Sequence, residues 1–274
     1  GLIGYGESHH GRSPGAVASI INNTISHLVM GMDASNVVGI WSTVYKMHFA
    51  SHGLGAATSI AMSGVDQALW DIRGKAVGWP LYRLLGGTLR PIETYAGGVC
   101  LGYQPPSSLV DEAQSLIDAG YKSIKIRIGD TPEIDMERIE AVRSRLGDSI
   151  TILTDANTAY SISDVRTIMP FLEYNNVGWL EEPFPPHDYR SYEIANNFGS
   201  IPLAAGENHY TRFEFNRLIE DRAITILQPD LSKTGGVTEA LRIAALASSW
   251  KLQLHPHTSH TGINMAATIH FLAS

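Results

Sequence analysis

The sequence predicts an α/β fold: a (β/α) TIM-type barrel preceded by a helical N-terminal segment. Three observations predict it. After Arg90, short apolar runs alternate with amphipathic segments, the order that builds a parallel sheet. Seven strands can be read, and an eighth would follow the last helix, a count that favours a barrel over an open doubly wound sheet. No G-x-G-x-x-G follows a predicted strand, which argues against the runner-up, a Rossmann-like sheet. The chain has 274 residues, room for one barrel of about 250 residues or about two ordinary domains.

The first 90 residues read as helical, a cap ahead of the barrel, and residues 91–274 as the barrel, with its last strand missing. The chain starts at Gly1 and enters at once into Leu2, Ile3 and Tyr5, and it stops inside a helical pattern; both ends read as truncated. In the cap, Ser13-Pro14 opens a helix as an N-cap and N1 pair, and Val17, Ile20, Ile21, Ile25 and Leu28 keep helical spacing over residues 15–30. A second helix is expected over residues 34–49 and a third over 56–77. The third is rich in small residues that permit close packing, with Gly78 as its C-cap and Pro80 beyond.

In the barrel, strands are expected at 92–97, 123–128, 151–155, 177–181, 202–206, 224–228 and 252–256. Helices are expected at 107–119, 133–146, 162–174, 188–198, 211–221 and 236–249, with a last one at 262–272. Trp41, Trp70, Trp79, Trp179 and Trp250 read mostly as core anchors, and His270 as a packing residue.

Composition narrows the function. Hydrophobic residues make up 44% and charged residues 17%, which excludes a disordered or collagen-like chain. The net charge is −7 and no basic run is present, so nucleic acid is not an expected partner. A lone cysteine, Cys100, excludes an internal disulfide framework and fits a reducing, cytoplasmic compartment. No stretch reaches about 18 apolar residues, so no membrane span is expected. The small-residue helix faces and apolar cap suggest a homo-oligomer.

The strand ends carry the chemistry. Strand two reads Ser123-Ile124-Lys125-Ile126-Arg127, strand three ends Asp155-Ala156-Asn157, strand four Glu181-Glu182-Pro183, strand five Gly206-Glu207-Asn208, strand six Gln228-Pro229-Asp230, and strand seven His255-Pro256-His257. From Asp155 through Glu181, Glu207 and Asp230 to His257, the intervals are 26, 26, 23 and 27 residues, one β/α unit each. A barrel would place these residues side by side on its C-terminal face, where barrel enzymes keep their sites. Three carboxylates in one mouth repel unless a cation neutralises them, and all-oxygen ligation suits a hard ion, Mg²⁺ first and Mn²⁺ second. Lys125 and Arg127 share one strand face. Asp230 one unit before His257 suits a carboxylate that orients an imidazole acid/base. Metal facing base is the arrangement for removing a proton α to a carboxylate. Asn157 and Asn208 are either turn formers or polar contacts to substrate. His9, His10 and Arg12 form either a solvated turn or a polar lid, with Arg12 able to pair a second carboxylate. His255 and His260 are the alternatives to His257, and Lys233 either helps neutralise the mouth or is a plain surface lysine.

These residues, with Gly120-Tyr121 through Gly129, Gly235-Gly236-Val237-Thr238, Met62-Ser63-Gly64 and Leu84-Leu85-Gly86-Gly87, resemble the enolase superfamily and its mandelate racemase-like subgroup over almost the whole chain. The resemblance implies Mg²⁺ on Asp155, Glu181 and Glu207, Lys125 near a substrate carboxylate, and an acid/base dyad of His257 and Asp230. It also implies a modified (β/α) TIM-type barrel with an N-terminal α+β capping domain over residues 1–90, whose two loops select substrate, at residues 8–12 and at 51–54, the second including His52. Racemases of the subgroup carry K-x-K on strand two, where this chain has Arg127. A guanidinium is a poor base at neutral pH, so two-base racemisation is disfavoured, whereas one histidine can both remove the α-proton and protonate a departing β-hydroxyl. The expected activity is therefore Mg²⁺-dependent dehydration of a sugar acid to a 2-keto-3-deoxy acid. The alternatives are a racemase or epimerase of a 2-hydroxy acid and a non-catalytic barrel that binds a sugar acid.

Overall fold

The structure is a computed structural model that describes residues 1–53, 55–98, 101–259 and 261–274. Cys100 and His260, named above, and Leu54 of the 51–54 loop lie outside the described residues.

In chain order the helices before the sheet are α1 (Pro14–Ile20), a π-helical turn (Ile21–Ile25), α2 (Ser26–Val29), α3 (Val37–Val44), a second π-helical turn (Tyr45–Phe49), α4 (Ala50–His52), α5 (Ala56–Val77) and α6 (Leu81–Leu84). The alternating part follows as β1 (Ala96–Gly97), α7 (Pro106–Asp118), β2 (Ser123–Arg127), α8 (Pro132–Leu146), β3 (Thr151–Asp155), α9 (Ile162–Tyr174), β4 (Val177–Glu181), α10 (Tyr189–Ala195), β5 (Leu203–Ala205), α11 (Thr211–Glu220), β6 (Ile226–Leu227), α12 (Val237–Ser249), β7 (Gln253–Leu254) and α13 (Gly262–Leu272). Among the described residues the seven strands run in sheet order β1 to β7, and the pairs from β1 to β5 are parallel. Among the described residues, no helix is long and apolar enough to cross a membrane.

Several boundaries differ from the sequence expectation, for local reasons. The expected helix over 15–30 is interrupted by a π-helical turn, and the Ser13 side chain makes no cap bond. The helix expected from residue 34 starts at Val37, because the Asn36 side chain accepts from the Gly39 amide at 3.1 Å and caps it there. Strand five is shorter than 202–206: Pro202 lacks the amide a ladder needs, and Gly206 leaves the strand at φ +150°. Trp79 and Trp250, expected in the core, are about half exposed, while Trp41, Trp70 and Trp179 are buried. Trp79 lies one residue past the left-handed Gly78 and stacks under the Arg83 guanidinium, 4.2 Å from the ring centre.

The chain forms two compact units. The first comprises Gly1–Ile92, Gly206–Arg217 and Leu227–Ser274; the second comprises Glu93–Ala205 and Leu218–Ile226. In the first, Val17, Ile25, Trp41, Val44, Phe49, Ile60 and Met62 form one buried cluster, and Val37, Trp70, Leu231, Val237, Ala240, Ala267 and Phe271 a second. Its tryptophans are satisfied as buried indoles require: Trp41 Nε1 donates to the Gly235 carbonyl at 3.0 Å and Trp70 Nε1 to Thr238 Oγ1 at 2.9 Å. The second unit packs Leu153, Trp179, Ala204 and Ile226 together. Its strands β2 to β5 are buried at nearly every position, polar residues included, as in a parallel sheet covered on both faces.

Candidate active site

The second unit presents the ends of β2, β3 and β4 in one register. Arg127 lies opposite Asp155, and Asp155 opposite Glu181. Asp155 and Glu181 are fully buried, and two adjacent carboxylates with no water demand a cation. Lys125 supplies one: its Nζ lies 2.9 Å from Asp155 Oδ2 and 2.5 Å from Glu181 Oε1. Burial alone would lower the Lys125 pKa, but Glu181 and Asp155 outweigh it and raise it well above the usual lysine range. Trp179 Nε1 donates to Glu181 Oε2 at 3.2 Å. The Tyr95 ring stands edge-on to Trp179 and lies under the Lys125 ammonium at 5.8 Å.

Arg127 is held on three sides. Its Nε donates to the Gly98 carbonyl at 3.2 Å, and its NH1 reaches Asp155 Oδ2 at 3.4 Å and bonds Asn157 Oδ1. Asn157 thus serves as an acceptor for Arg127 as well as a turn residue; its own amide donates to Asp155 Oδ1 at 3.0 Å. Asn157, Thr158 and Glu182 all hold positive φ, at 43°, 68° and 37°. Non-glycine residues in that region are strained, and such strain clusters where a site is over-determined.

The first unit carries the imidazole. His257 Nδ1 pairs with Asp230 Oδ2 at 2.7 Å, and Nε2 lies 3.0 Å from Glu207 Oε2. A parallel backbone bridge joins Asp230 and His257 as well. Asp230 is fully buried. Burial pushes its pKa up, but the bond and charge of His257, with Lys233 and Ser232, more than reverse this and leave it below the usual range. His257 is pushed up to about 10: burial works against the charged ring, while Glu207 and Asp230 together favour it. Lys233 Nζ stands 3.4 Å from Glu207 Oε1 and is buried, so it is not a plain surface lysine. Asn208 Nδ2 donates to Glu207 at 3.3 Å. Gly206, just before Glu207, must be glycine: a Cβ there would sit 2.6 Å from the Gln228 amide nitrogen.

His255 bonds Gln253 at 3.1 Å, beside the β7 residue it follows. In the loop over residues 8–12, His9 Nδ1 and His10 Nδ1 accept from the amides of Gly11 and Arg12, at 2.9 and 2.8 Å. The His9 amide donates to the Ser232 carbonyl at 3.0 Å, which ties the loop to the Asp230 segment. Arg12 and His52 are exposed; His52 bonds Ser51 Oγ at 2.8 Å and stacks on His48.

Sequence reading missed Ser232 and Asn264. The Ser232 amide and hydroxyl both donate to Asp230 Oδ1, each at 2.7 Å, and Asn264 Nδ2 donates to the same oxygen at 3.1 Å. The signal for Ser232 was its place two residues after an aspartate, the spacing of an Asx turn. Asn264 sits in the apolar frame of α13, where nothing local marks it.

Asp155 and Glu181 in the second unit and Glu207 in the first are three carboxylates of the kind that hold a metal ion. Three carboxylates are the donor set of a hard divalent cation.

Comparison with known proteins bears on this arrangement. Residues 1–86 match the family model for the mandelate racemase / muconate lactonizing enzyme N-terminal domain, and residues 108–274 match that for the enolase C-terminal domain-like family. An arabinonate dehydratase from Saccharolobus solfataricus is 34% identical, over 100% of this chain and 74% of that protein. A D-galactonate dehydratase from Verminephrobacter eiseniae is 33% identical, over 98% and 72%. Among solved structures, a member of the enolase superfamily from Polaromonas sp. JS666 superposes with a TM-score of 0.98 at 55% identity, covering 100% of this chain and 73% of that one. A racemase from Streptomyces coelicolor A3(2) with bound magnesium superposes at 0.87 with 30% identity, covering 94% and 71%.

Proposed function

The chain belongs to the mandelate racemase / muconate lactonizing enzyme family of the enolase superfamily, whose barrel is of TIM type, and from that premise we propose that it is a hydro-lyase that dehydrates a sugar acid. Residues 1–90 act as its capping domain and 91–274 as its barrel. Its relatives named as arabinonate and D-galactonate dehydratases support the substrate class. One observation carries the choice of elimination over racemisation. The Arg127 guanidinium is engaged by Gly98, Asp155 and Asn157, and a guanidinium is a poor base, whereas His257 is a titratable imidazole already oriented by Asp230.

Asp155, Glu181 and Glu207 would hold the divalent ion, read as Mg²⁺. When bound there, it supplies a positive charge that stabilises the oxyanion developing on the substrate carboxylate. The donor set fits, and a cation drawing on Glu207 would leave Asp230 as the main anionic partner of the His257 ring. His257 Nε2 removes the α-proton while Asp230 steadies the imidazolium through Nδ1. The same Nε2 then returns the proton to the β-hydroxyl as the C–O bond breaks. Water leaves, and the resulting enol tautomerises to the 2-keto-3-deoxy acid, gaining a proton at the carbon that lost the β-hydroxyl and losing the proton of its 2-hydroxyl. Lys125, beside Asp155 and Glu181, assists in holding the carboxylate end. Asn157, Asn208, His9, Arg12 and His52 are the proposed contacts for the remaining hydroxyl or carboxyl groups. The proposed setting is the cytoplasm, in keeping with the lone cysteine, and the proposed assembly is a homo-oligomer.

The test is turnover of mono- and diacid sugars by the protein with Mg²⁺ in D₂O. Keto-acid formation from one or a few related acids is the expected outcome, and His257→Asn lowers kcat by about 10²- to 10⁴-fold, the usual weight of a general acid/base. Epimer formation with α-deuteration and no keto acid would replace this reading with a racemase.

A further inference from the structure

Asp230 divides its carboxylate between two tasks. Oδ2 takes His257 Nδ1 at 2.7 Å. Oδ1 takes the Ser232 amide and hydroxyl and the Asn264 side-chain amide. Asn264 is fully buried, and its amide is spent in both directions: Nδ2 also donates to Thr258 Oγ1 at 3.3 Å, and Oδ1 accepts from Gln67 Nε2 at 3.3 Å.

Behind Asn264 the bonds close into a ring. The Glu7 amide donates to Gln67 Oε1 at 3.0 Å, Gln67 Nε2 donates to Asn264 Oδ1, and the Asn264 backbone amide donates to Glu7 Oε2 at 2.9 Å. The Thr261 hydroxyl also bonds Glu7 Oε2, so that carboxylate sits on the first turn of α13, where helix amides and dipole favour an anion. Glu7 directly precedes the loop over residues 8–12, whose His9 amide holds the Ser232 carbonyl. That loop is therefore fastened to the Asp230 segment twice, once through Ser232 and once through Asn264.

We propose that Asn264 is a positioning residue for the acid/base pair: with Gln67 and Glu7 it fixes the rotation of the Asp230 carboxylate, so that Oδ2 alone faces His257, and it couples that rotation to the seating of the residue 8–12 loop. An apolar side chain at this position would leave Oδ1 one donor short and leave Gln67 Nε2, in a buried site, only its bond to the Leu231 carbonyl at 3.0 Å, and an aspartate would place a second anion against Asp230. Outer partners of a metal-site residue cost about 10- to 100-fold when removed.

The inference rests on the dehydratase reading only for its kinetic arm. That arm compares Asn264→Leu with the milder Asn264→Ser. A loss in kcat of about 10- to 100-fold for Asn264→Leu, with KM changed by less than about threefold, is the expected result. The second arm needs no turnover: the proton on His257 Nδ1 is followed by ¹H–¹⁵N NMR at fixed pH in wild type, Asn264→Ser and Glu7→Gln. The expected result is a shifted or broadened resonance in both variants, with the folded amide spectrum retained. An unmoved Nδ1 proton in folded Asn264→Ser overturns the positioning role, whether or not any sugar acid is turned over. A moved proton in Asn264→Ser with an unmoved one in Glu7→Gln overturns the coupling to the loop. Absence of wild-type turnover with a moved proton would instead count against the dehydratase reading and leave the positioning role standing.

Discussion

Lys125 has two carboxylate partners and almost no water. Its ammonium lies 2.9 Å from Asp155 and 2.5 Å from Glu181, both fully buried. A pair of this kind gains little over an apolar replacement of the whole group, but removing one partner leaves uncompensated buried charge. Lys125→Met strips the cation and leaves both acids. The expected cost in metal-free protein is about 3–5 kcal/mol by chemical denaturation, and Mg²⁺ returns most of it because a second cation then meets the same carboxylates. A loss under about 1 kcal/mol, or one that Mg²⁺ does not repair, would mean that this charge balance is not what Lys125 provides. Arg127, two residues on along the same strand face, is also bound to Asp155 but is partly open to solvent, so its removal is expected to cost less.

At the scale of elements, α5 and α12 in the first unit meet through a buried acid. Asp66 on α5 accepts from the Thr238 amide of α12 at 2.9 Å, and Gly236 is glycine because a Cβ would sit 2.4 Å from Asp66 Oδ2. Burial pushes the Asp66 carboxyl up to about 7; the bonds from Thr238 and the Arg242 charge pull it down, and Glu239 adds to the rise. An unfolded aspartate titrates near 3.9, so the fold prefers the protonated acid. Its contribution to stability is full below about pH 4 and is lost as pH rises toward 7. Asp66→Asn mimics the protonated form at every pH. Its melting temperature relative to wild type is therefore expected to climb from pH 5 to pH 8, at no more than about 1.4 kcal/mol for each pH unit. A difference that stays flat with pH would show that Asp66 ionises normally at this junction. Cap residues tell a related story about what local sequence reveals. Gly78 was legible as the end of α5 because one residue type fits a left-handed φ of 68°. Asp66 was not, because its partner lies 172 residues away and nothing in a helical pattern marks an acid as buried.

For the whole molecule, the difference between what was legible and what was not follows from chain geometry. Asp155, Glu181, Glu207, Asp230 and His257 could be grouped because each sits at a strand end one β/α unit from the next, so sequence period stands in for position. Asn264, Gln67 and Glu7 fall outside that period; two lie on helices, and the ring they close spans 257 residues. Strand lengths were over-read for the same kind of reason: apolar runs continue past the point where Pro202 or Gly206 ends the pairing. The net charge of −7 bears on the last prediction, since a chain with excess acid gains from cations in general. Weak screening of surface acids falls away in added salt, whereas a specific triad saturates and depends on its ligands. A divalent ion that binds only the native state adds about 2.7 kcal/mol at one hundred times its Kd. Mg²⁺ titrated in 0.2 M KCl is thus expected to raise the melting temperature by several degrees and then level off. Glu207→Gln removes one anionic ligand while keeping its size and is expected to abolish most of the rise. Glu220→Gln, a change outside the triad, is expected to leave it intact. Equal shifts in the two variants would make the stabilisation a matter of net charge and would remove the triad from the proposed chemistry.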